Sequence, residues 1–533
     1  MRKEFIILFW SLFCLTACDD LLDMNPENSV TFKNAYETEN DMEAATRLCA
    51  QKLRESYGPN NMFMGQYIDS LASETSILQR NLDPSQVRWG DWSSWYKLIG
   101  AANVVIKYSD QINAARERKD YYRGQGHFYR AIAYWRLLQD WGDCVIIGDE
   151  ANLEVVFPKS SWVEVADYAI HEAREAVRLL PEYDKIKDSR GNAPQYKNEP
   201  CKGAANALLA HLCTLKAGWK WLASPAFKNY DEIELWKEAE AACTAIIGSE
   251  TGTSSGLYRM AGTPEEVCTR VFKGNHSESV FEIQYDPYWD EIAKNIGSDS
   301  YTTYLDTWAL SYCYWLINMQ VYGEGVACIK KQNNLIRATT VKEWFLEGDL
   351  RRDSYFWKLD SMSHDSLRYK TGGFAYPYFF RDIRVKTASG SQGVFDHWDY
   401  NAVYWRLADI YLLRAECRTR LGKTDEAIAD LNEVRSRANA KLYNTSEYAN
   451  TEYEDKLRYA VFKEREKELL FEGQRYFDVL RNGEEYVRRE LSNAFRNIPL
   501  QDMIDGCVFV ALPASVFGRN TALRQNTWWN RYL

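Results

Sequence analysis

This chain lacks the residue patterns that mark most enzymes and metal proteins. Its six histidines are scattered along 533 residues without an HExxH pair, and no phosphate-loop glycine pattern occurs. Its 12 cysteines include no CxxC and no cluster with histidine. The sequence therefore predicts no metal site, no cofactor and no catalytic nucleophile, although it leaves open that two carboxylates meet in the folded chain as in a glycosidase.

Positive charge and long apolar runs are also scarce. The chain has 65 Lys and Arg against 75 Asp and Glu, a net charge of −10, and no basic patch offsets this balance. Nucleic acid and anionic membrane surfaces are therefore not expected as main partners. The apolar run FIILFWSLFCL follows a basic start and is shorter than the roughly 20 residues of a membrane-spanning helix, so it predicts a signal peptide.

What the sequence does have is apolar residues at helical spacing, in segments that come in pairs. Small residues on these faces allow two antiparallel helices to pack closely, as in a tetratricopeptide unit. One such pair cannot bury its apolar faces alone, so several pairs must stack. Four pairs are predicted, namely 40–57 with 93–112, 121–140 with 161–181, 203–222 with 235–247, and two helices within 401–438.

The fourth pair has the clearest pattern. From Asn401 onward, Val403, Leu407 and Ile410 begin a series of apolar residues at steps of three and four, which predicts a helix. Gly422 is expected to end this helix, and the Thr424 side chain to cap the next one. The two helices would form an antiparallel hairpin.

A region of different composition separates the third pair from the fourth. About 150 residues are too many for a loop inside a compact domain, so 250–400 is expected to be a subdomain of its own kind. It is rich in Gly, Asp, Trp and Tyr, and SVFEIQYD within it is typical of a strand. The predicted fold class is mainly α, with four tetratricopeptide-like helix pairs forming a superhelical scaffold and an irregular, loop-rich subdomain inserted before the last pair.

Two motifs near the C-terminus are specific. The run ERxxELxFEGxRxxDxxR is filled by Glu464, Arg465, Glu468, Leu469, Phe471, Glu472, Gly473, Arg475, Asp478 and Arg481. The ending ALPASVFGRNTALRQN fits LPIPxxEIxxNxxLxQN at Leu512, Pro513, Asn520, Leu523, Gln525 and Asn526, while Val516 and Phe517 replace the usual pair. On these motifs the chain resembles the SusD/RagB family, and the resemblance spans nearly its whole length.

Near the N-terminus, Leu15, Thr16, Ala17 and Cys18 fit the bacterial lipobox. The resemblance implies cleavage before Cys18, a diacylglyceryl group on its thiol and an acyl chain such as palmitate on its amine, which together make anchoring stable. A plain secretory signal with an incidental cysteine stays open. The implied segments are a signal peptide (1–17), a lipidated tether (18–39), an N-terminal repeat half (40–249), a ligand-binding subdomain (250–400) and a C-terminal region with the last helix pair (401–533).

The resemblance also implies a function. Members of this family are non-catalytic lipoproteins of the outer membrane, exposed to the cell exterior, that bind glycans and deliver them to a SusC-like TonB-dependent transporter. The repeat half would sit on the transporter barrel as a lid. Two alternatives stay open, which are capture of peptides or glycoproteins in the RagB manner and, from another class, a surface hydrolase.

The chain is rich in aromatic residues, with 19 Trp and 35 Tyr, and such rings can stack on the C–H faces of sugars. Those on predicted repeat helices are expected to be packing residues, namely Trp95, Tyr96, Trp135, Trp162, Trp236, Tyr404 and Trp405. The resemblance places the ligand site on the irregular half and neighbouring loops. The ligand-binding candidates there are Tyr67, Trp89, Tyr288, Trp289, Tyr314 and Trp315, with Asp69 and Asp290 as hydroxyl partners. Tyr314 and Trp315 could equally belong to a buried helix.

Charged residues of the C-terminal motif invite a catalytic interpretation, which the sequence disfavours. Glu464, Glu468 and Glu472 each have an Arg or Lys within one turn, which favours the ionised carboxylate and removes the raised pKa of a general acid. A structural ion network that clamps this helix onto the repeats is expected instead. The helix is predicted to end near Gly473, before a short YFDVLR turn. Most cysteines are expected to be small buried hydrophobic residues.

Overall fold

The computed structural model of the protein describes residues 35–56, 91–148, 156–284, 337–360, 375, 377–386, 394–398, 400–491, 493–518 and 520–532. The first three predicted helix pairs are present in this part of the chain. They are α1 (Glu39–Ser56) with α2 (Ser93–Tyr108), α3 (Arg116–Trp141) with α4 (Trp162–Leu179), and α5 (Lys202–Gly218) with α6 (Glu232–Ile247). Short 3₁₀ helices follow α4 and α5 at Tyr183–Lys185, Trp219–Leu222 and Pro225–Phe227.

Local sequence signals set the ends of these helices. Ser161 caps α4 by accepting from the Glu164 amide, while the Glu164 carboxylate accepts from the Ser161 amide at 2.9 Å, so two unpaired donors of the first turn are satisfied. The Asp231 side chain caps α6 by accepting from the Ile233 amide. Gly248 ends α6 in the left-handed conformation. Close packing between helices also has a local cause. A Cβ at Gly126 would lie 2.7 Å from Ile106 of α2, so glycine lets α2 and α3 approach each other.

Short elements follow the third pair, as predicted for the irregular region. They are α7 (Pro264–Thr269), a 3₁₀ turn (Val271–Lys273), β1 (Ser279–Ile283), α8 (Ala338–Trp344), α9 (Arg351–Tyr355), β2 (Ile383–Lys386) and β3 (Val394–Trp398). The predicted strand within SVFEIQYD is therefore confirmed. β2 and β3 pair antiparallel, with Ile383 opposite Trp398 and Lys386 opposite Val394.

The start of the fourth pair differs from the prediction. Residues Ala402–Arg406 form a strand, β4, that pairs antiparallel with β1, with Ile283 opposite Ala402 and Ser279 opposite Arg406. All five residues of β4 are buried, so no alternation of apolar and polar residues marks the strand in the sequence. The spacing of Val403 and Leu407 imitates a helix, whereas the helix itself begins only at Leu407.

The fourth helix pair consists of α10 (Leu407–Arg420) and α11 (Thr424–Arg437). Gly422 has φ +73° and ends the first helix as predicted. The expected cap at Thr424 is wrong, because Thr424 is the first helical residue and Lys423 precedes it without a side-chain cap bond. Each of the eight repeat helices contacts the next one, and α6 contacts α10 directly across the inserted region. The four pairs therefore form one continuous stack, which confirms the predicted tetratricopeptide-like scaffold.

The chain ends in a series of short helices against this stack. They are α12 (Lys456–Glu468), α13 (Arg475–Asn482), α14 (Glu484–Glu490), α15 (Asn493–Arg496) and α16 (Leu500–Asp502), followed by a π turn (Met503–Cys507) and 3₁₀ turns (Ala514–Val516 and Trp529–Tyr532). The predicted end of the helix near Gly473 is wrong, and YFDVLR is helical. Phe471 and Gly473 have φ of +70° and +78°, which turns the chain between α12 and α13.

Eight cysteines of the described ranges are buried and unpaired, at 49, 144, 201, 213, 243, 268, 417 and 507, as the sequence predicts for small hydrophobic residues. Among the helices that the structure describes, none combines the length and the apolar character needed to cross a membrane.

Candidate functional site

The predicted ligand-binding residues and the predicted lipidation site lie outside the described residues. These residues are Tyr67, Asp69, Trp89, Tyr288, Trp289, Asp290, Tyr314, Trp315 and Cys18. What the structure gives is the scaffold to which their two segments, 57–90 and 285–336, are joined. The positions of the flanking residues therefore decide whether one site can be built from both segments.

The two attachment points belong to neighbouring elements. Segment 57–90 follows Ser56 at the end of α1, and segment 285–336 follows β1 after Gln284. Helix α1 contacts β1 directly. The ring centroids of Phe128 of α3 and Phe281 of β1 lie 5.0 Å apart. Arg54, in the last turn of α1, is close enough to the adjacent Tyr129 for its charge to act on the pKa of the Tyr129 hydroxyl. Both segments therefore begin within the same region of the scaffold.

The residues beside these attachment points are fixed by packing. Asn198 donates to the Gln284 side chain at 2.9 Å, and the Glu282 amide of β1 donates to the Lys197 carbonyl at 3.0 Å. Trp92, which follows the first segment, is buried against Trp141 at 6.1 Å between ring centroids. Trp92 is thus a packing residue.

The seven aromatic residues that the sequence places on repeat helices are packing residues, as predicted, although Tyr404 and Trp405 lie on β4. Trp95, Trp135, Trp162, Trp236, Tyr404 and Trp405 are buried, and the half-buried Tyr96 donates its hydroxyl to the Val145 carbonyl at 2.9 Å. Trp135 and Trp405 lie 5.5 Å apart, and the His211 ring stacks on Trp405 at 5.7 Å. These rings hold β4 against α3 and α5, and none of the buried ones presents a free face to a ligand.

One half-buried aromatic pair lies in the described part of 250–400. Trp357 and Tyr378 have ring centroids 4.7 Å apart. The guanidinium of Arg381 lies 4.1 Å from the Tyr378 centroid, and the Lys358 ammonium 4.8 Å from that of Trp357. Cations occupy a face of each ring, so this pair is less suited to sugar stacking than a free ring would be.

The glutamates of the C-terminal motif form the predicted ion network, but several of their partners lie far away along the chain. Arg406, at the end of β4, places Nη1 2.6 Å from Glu468 and 2.8 Å from Glu278, and Nη2 2.6 Å from Glu472. Arg351 of α9 places Nη1 2.6 Å from Glu464 and 3.2 Å from Glu468. Glu278 directly precedes β1, Arg406 ends β4, and Glu472 lies in the turn after α12. The network therefore joins the irregular region to the C-terminal helices.

Glu464 and Glu468 have lowered pKa values, as the sequence predicts. Burial acts to raise the pKa of Glu464, but the positive charges of Arg351, Lys467 and Arg435 outweigh this effect. They hold the pKa of Glu464 well below the usual range. At Glu468, burial is likewise outweighed by Arg437, Arg406 and Arg351, and its pKa is about 2. Both carboxylates are therefore ionised and have no proton to donate near neutral pH.

The third glutamate contradicts the prediction. Burial raises the pKa of Glu472 to about 7, although the neighbouring Arg406 acts in the opposite direction. Arg406 is shared with Glu278 and Glu468, and the charge of Glu468 adds to the rise at Glu472. Its side chain is only 9% exposed, so it does not line an open cleft. Its raised pKa is the property of a crowded ion network rather than of a general acid.

Arg351 and Arg406 are the partners that sequence reasoning missed, because it paired the glutamates only within their own helix. A usable signal is present for Arg406, because it stands between the apolar runs AVYW and LADIYLL and must therefore be buried with a partner. Elsewhere in the described ranges, no group of three or more His, Cys, Asp or Glu side chains is placed to hold a metal ion.

Comparison with family models covers almost the whole chain. The model described as SusD family matches residues 220–529, which is more than half of the chain. A second model, described as starch-binding associating with outer membrane, matches residues 22–213.

Related sequences and solved structures agree with this match. SusD-like protein P38 of Formosa agariphila is 24% identical over 518 residues, 90% of each chain. A SusD-like protein of Bacteroides ovatus is 23% identical over 526 residues, 93% of this chain and 85% of the relative. A SusD homolog from Bacteroides thetaiotaomicron shares the fold with a TM-score of 0.70 at 18% identity, over 93% of this chain and 99% of the other. NanU of B. fragilis shares it with a TM-score of 0.63 at 18% identity, over 95% and 100% of the two chains.

Proposed function

The chain belongs to the SusD/RagB family, and from this premise we propose that it is a glycan-binding lipoprotein of the outer membrane. It binds oligo- or polysaccharides outside the cell and passes them to a SusC-like TonB-dependent transporter without cleaving them. The observation that carries the proposal is the extent of the family match, which includes both the repeat half and the C-terminal motif.

The scaffold supports a binding role. The segments that hold Trp89 and Trp289 begin beside each other, at the end of α1 and after β1, so rings from both can contribute to one surface. Ser56 before the first segment and Trp92 just after it are buried, and Gln284 before the second segment accepts from the Asn198 side chain, so packed residues support both segments. Ligand sites built on loops depend on such support for their geometry.

The non-catalytic role is supported by the chemistry of the C-terminal carboxylates. Glu464 and Glu468 are paired, buried and ionised, and Glu472 is enclosed by the same network. A glycosidase needs two opposed carboxyl groups around an accessible sugar, with one of them able to donate a proton. The buried network does not provide this arrangement.

Parallel binding panels test this function. The mature protein without its lipid is applied to an array of polysaccharides and oligosaccharides and to a peptide panel. Binding to one class of glycan, with no release of reducing ends during prolonged incubation, is the expected result. Binding to peptides alone would favour the RagB-like alternative, and release of reducing ends by the pure protein would establish a hydrolase.

The partner is tested separately. The lipoprotein is expressed from its native locus, extracted in detergent and purified by affinity. Recovery of a TonB-dependent barrel in amounts comparable with the lipoprotein is expected, and repeated recovery without such a barrel would contradict the delivery step.

A further inference from the structure

Two neighbouring arginines, Arg420 and Arg458, form no ion pair with a carboxylate in the described part of the chain. Arg420 is the last residue of α10, and Arg458 lies in the first turn of α12. Burial lowers the pKa of Arg420, and the positive charge of Arg458 lowers it further, so the two guanidinium groups lie within range of each other's charge. Two like charges in this position repel each other unless an anion compensates them.

Neighbouring residues hold both guanidinium groups in place. Arg420 donates from Nη2 to Asn482 Oδ1 at 3.2 Å, and its guanidinium carbon lies 5.1 Å from the ring centroid of the buried Trp236. The guanidinium carbon of Arg458 lies 5.8 Å from the ring centroid of the buried Tyr486. Contacts with α6, α13 and α14 therefore position the two arginines.

The terminal nitrogens of Arg420 and Arg458 can be reached from solvent. Both residues are partly exposed. The buried side-chain atoms that lack a partner in the described ranges include the Nε atoms of both residues, but no Nη atom of either one. A ligand from solvent can therefore bind at the Nη atoms without having to reach the enclosed Nε atoms.

Two acidic side chains near these arginines are engaged elsewhere. Glu416 acts on the pKa of Arg420, but its two oxygens accept from Arg481 at 2.9 and 2.7 Å. Asp455 accepts from the Arg458 amide at 2.9 Å and caps α12. Three arginines therefore stand against two carboxylates in this cluster, which favours an anion over a cation as a ligand.

The chemistry of two guanidinium groups selects the kind of anion. A guanidinium group donates parallel hydrogen bonds to the oxygens of one anionic group. A carboxylate has two oxygens in one plane, whereas a tetrahedral oxyanion has four oxygens that point in different directions. Because Arg420 and Arg458 lie on different helices, a tetrahedral oxyanion can accept from both more readily than a carboxylate can.

We propose that Arg420 and Arg458 bind one sulfate or phosphate group through their terminal nitrogens. The site is separate from the proposed glycan site, because it uses none of the predicted ligand residues. It also does not depend on the proposed function.

Calorimetric titration and thermal unfolding of the mature protein without its lipid test this site. Sodium sulfate, sodium phosphate and phenyl phosphate are compared with sodium acetate, while sodium chloride keeps the ionic strength equal. At least one tetrahedral anion is expected to bind the wild type more tightly than acetate and to raise its melting temperature in a saturable manner. Tighter binding of phenyl phosphate than of inorganic phosphate would indicate a group carried on a larger molecule, and the reverse order a free anion.

Variants assign the binding to the two arginines. Arg458→Gln and Arg420→Met should each weaken anion binding by about tenfold or more, because each removes charge-assisted hydrogen bonds. Arg458→Gln provides the test if Arg420→Met, which loses the contact with Trp236, does not fold. Arg178→Gln removes a charge from an ion pair on α4 that is largely exposed at the arginine, and it should bind the anion as the wild type does.

Sulfate also stabilises proteins in general, and this effect should be the same in the wild type and the variants. The proposal is overturned if no tetrahedral anion binds more tightly than acetate, or if binding is unchanged in Arg458→Gln. It is also overturned if the anions raise the melting temperatures of the wild type and Arg458→Gln by the same amount.

Discussion

Arg406 and Glu468 form a fully buried ion pair, with Arg406 Nη1 2.6 Å from Glu468 Oε1 and neither side chain exposed to solvent. The same guanidinium also contacts Glu278 and Glu472. One arginine therefore contacts three carboxylates, which lie just before β1, at the end of α12 and in the turn after α12. This contact ties the inserted region and the C-terminal motif to strand β4.

Arg406→Met should destabilise the protein severely. Removing one partner of a buried ion pair leaves uncompensated charge, at a cost of about 3–5 kcal/mol in the free energy of unfolding. Chemical denaturation measures this loss. Arg178→Met is the control, because Arg178 and its partner Glu175 form an ion pair that is largely exposed at the arginine, and such pairs contribute about 0–1 kcal/mol. Equal losses in the two variants would show that the buried network is not important for stability.

Glu472 should make stability depend on pH between about 4.5 and 7. Burial raises its pKa in the folded protein from 4.5 to about 7, so the folded state holds a proton that the unfolded state has lost. Its contribution is complete below pH 4.5 and is lost as the pH rises through 7. The cumulative loss is about 3 kcal/mol at most.

The difference between the wild type and Glu472→Gln isolates this effect, because Asp140, whose pKa burial raises to about 7, is present in both proteins. Denaturation at a series of pH values should show similar stability of the two proteins near pH 5. The variant should be the more stable one near pH 8. Parallel profiles across this range would contradict the raised pKa of Glu472.

Trp405→Ala should destabilise the protein by about 3–5 kcal/mol, because the buried ring packs on Trp135 and His211 and leaves a cavity when it is removed. Phe227→Ala is the matched control, since Phe227 is 38% exposed on a 3₁₀ turn, and it should change stability by about 0.5 kcal/mol or less. Denaturant titration of both variants distinguishes packing rings from surface rings. A small loss at Trp405 would mean that its ring is free for another role.

Cys18→Ala should abolish lipid anchoring and leave the protein soluble or retained at the inner membrane. Leu15, Thr16 and Ala17 before it complete the cleavage signal. Mass spectrometry of the mature wild-type N-terminus should show a lipidated Cys18. An unmodified cysteine, or cleavage at another position, would instead indicate a plain secretory signal.

The repeat helices could be predicted because helical spacing is a local property of the sequence. Helix α4 is an example, since Ser161 and Glu164 form a capping box at its start. Its apolar residues then follow at steps of three and four. Strand β4 could not be predicted in the same way. Its five residues are all buried between packed layers, so burial removed the alternation that identifies a strand.

The ion network shows a different limit of sequence reasoning. Glu468 was expected to pair within its own helix, yet Arg406 lies 62 residues and Arg351 117 residues from it along the chain. Contacts over such separations depend on how β4 and α9 pack against α12. The ligand residues of the glycan site stay predictions, since they lie outside the described residues.

Glycan binding by the Trp89→Ala, Trp289→Ala double variant tests the proposed function most directly. Isothermal titration calorimetry uses the glycan that the array identifies, with Phe227→Ala as a control for loss of an exposed ring. The double variant is expected to lose about 1 kcal/mol or more of binding free energy and to melt as the wild type does, while Phe227→Ala keeps full affinity. Full affinity of the double variant would contradict the placement of the site, and unfolding of the double variant would show that these two rings are packing residues.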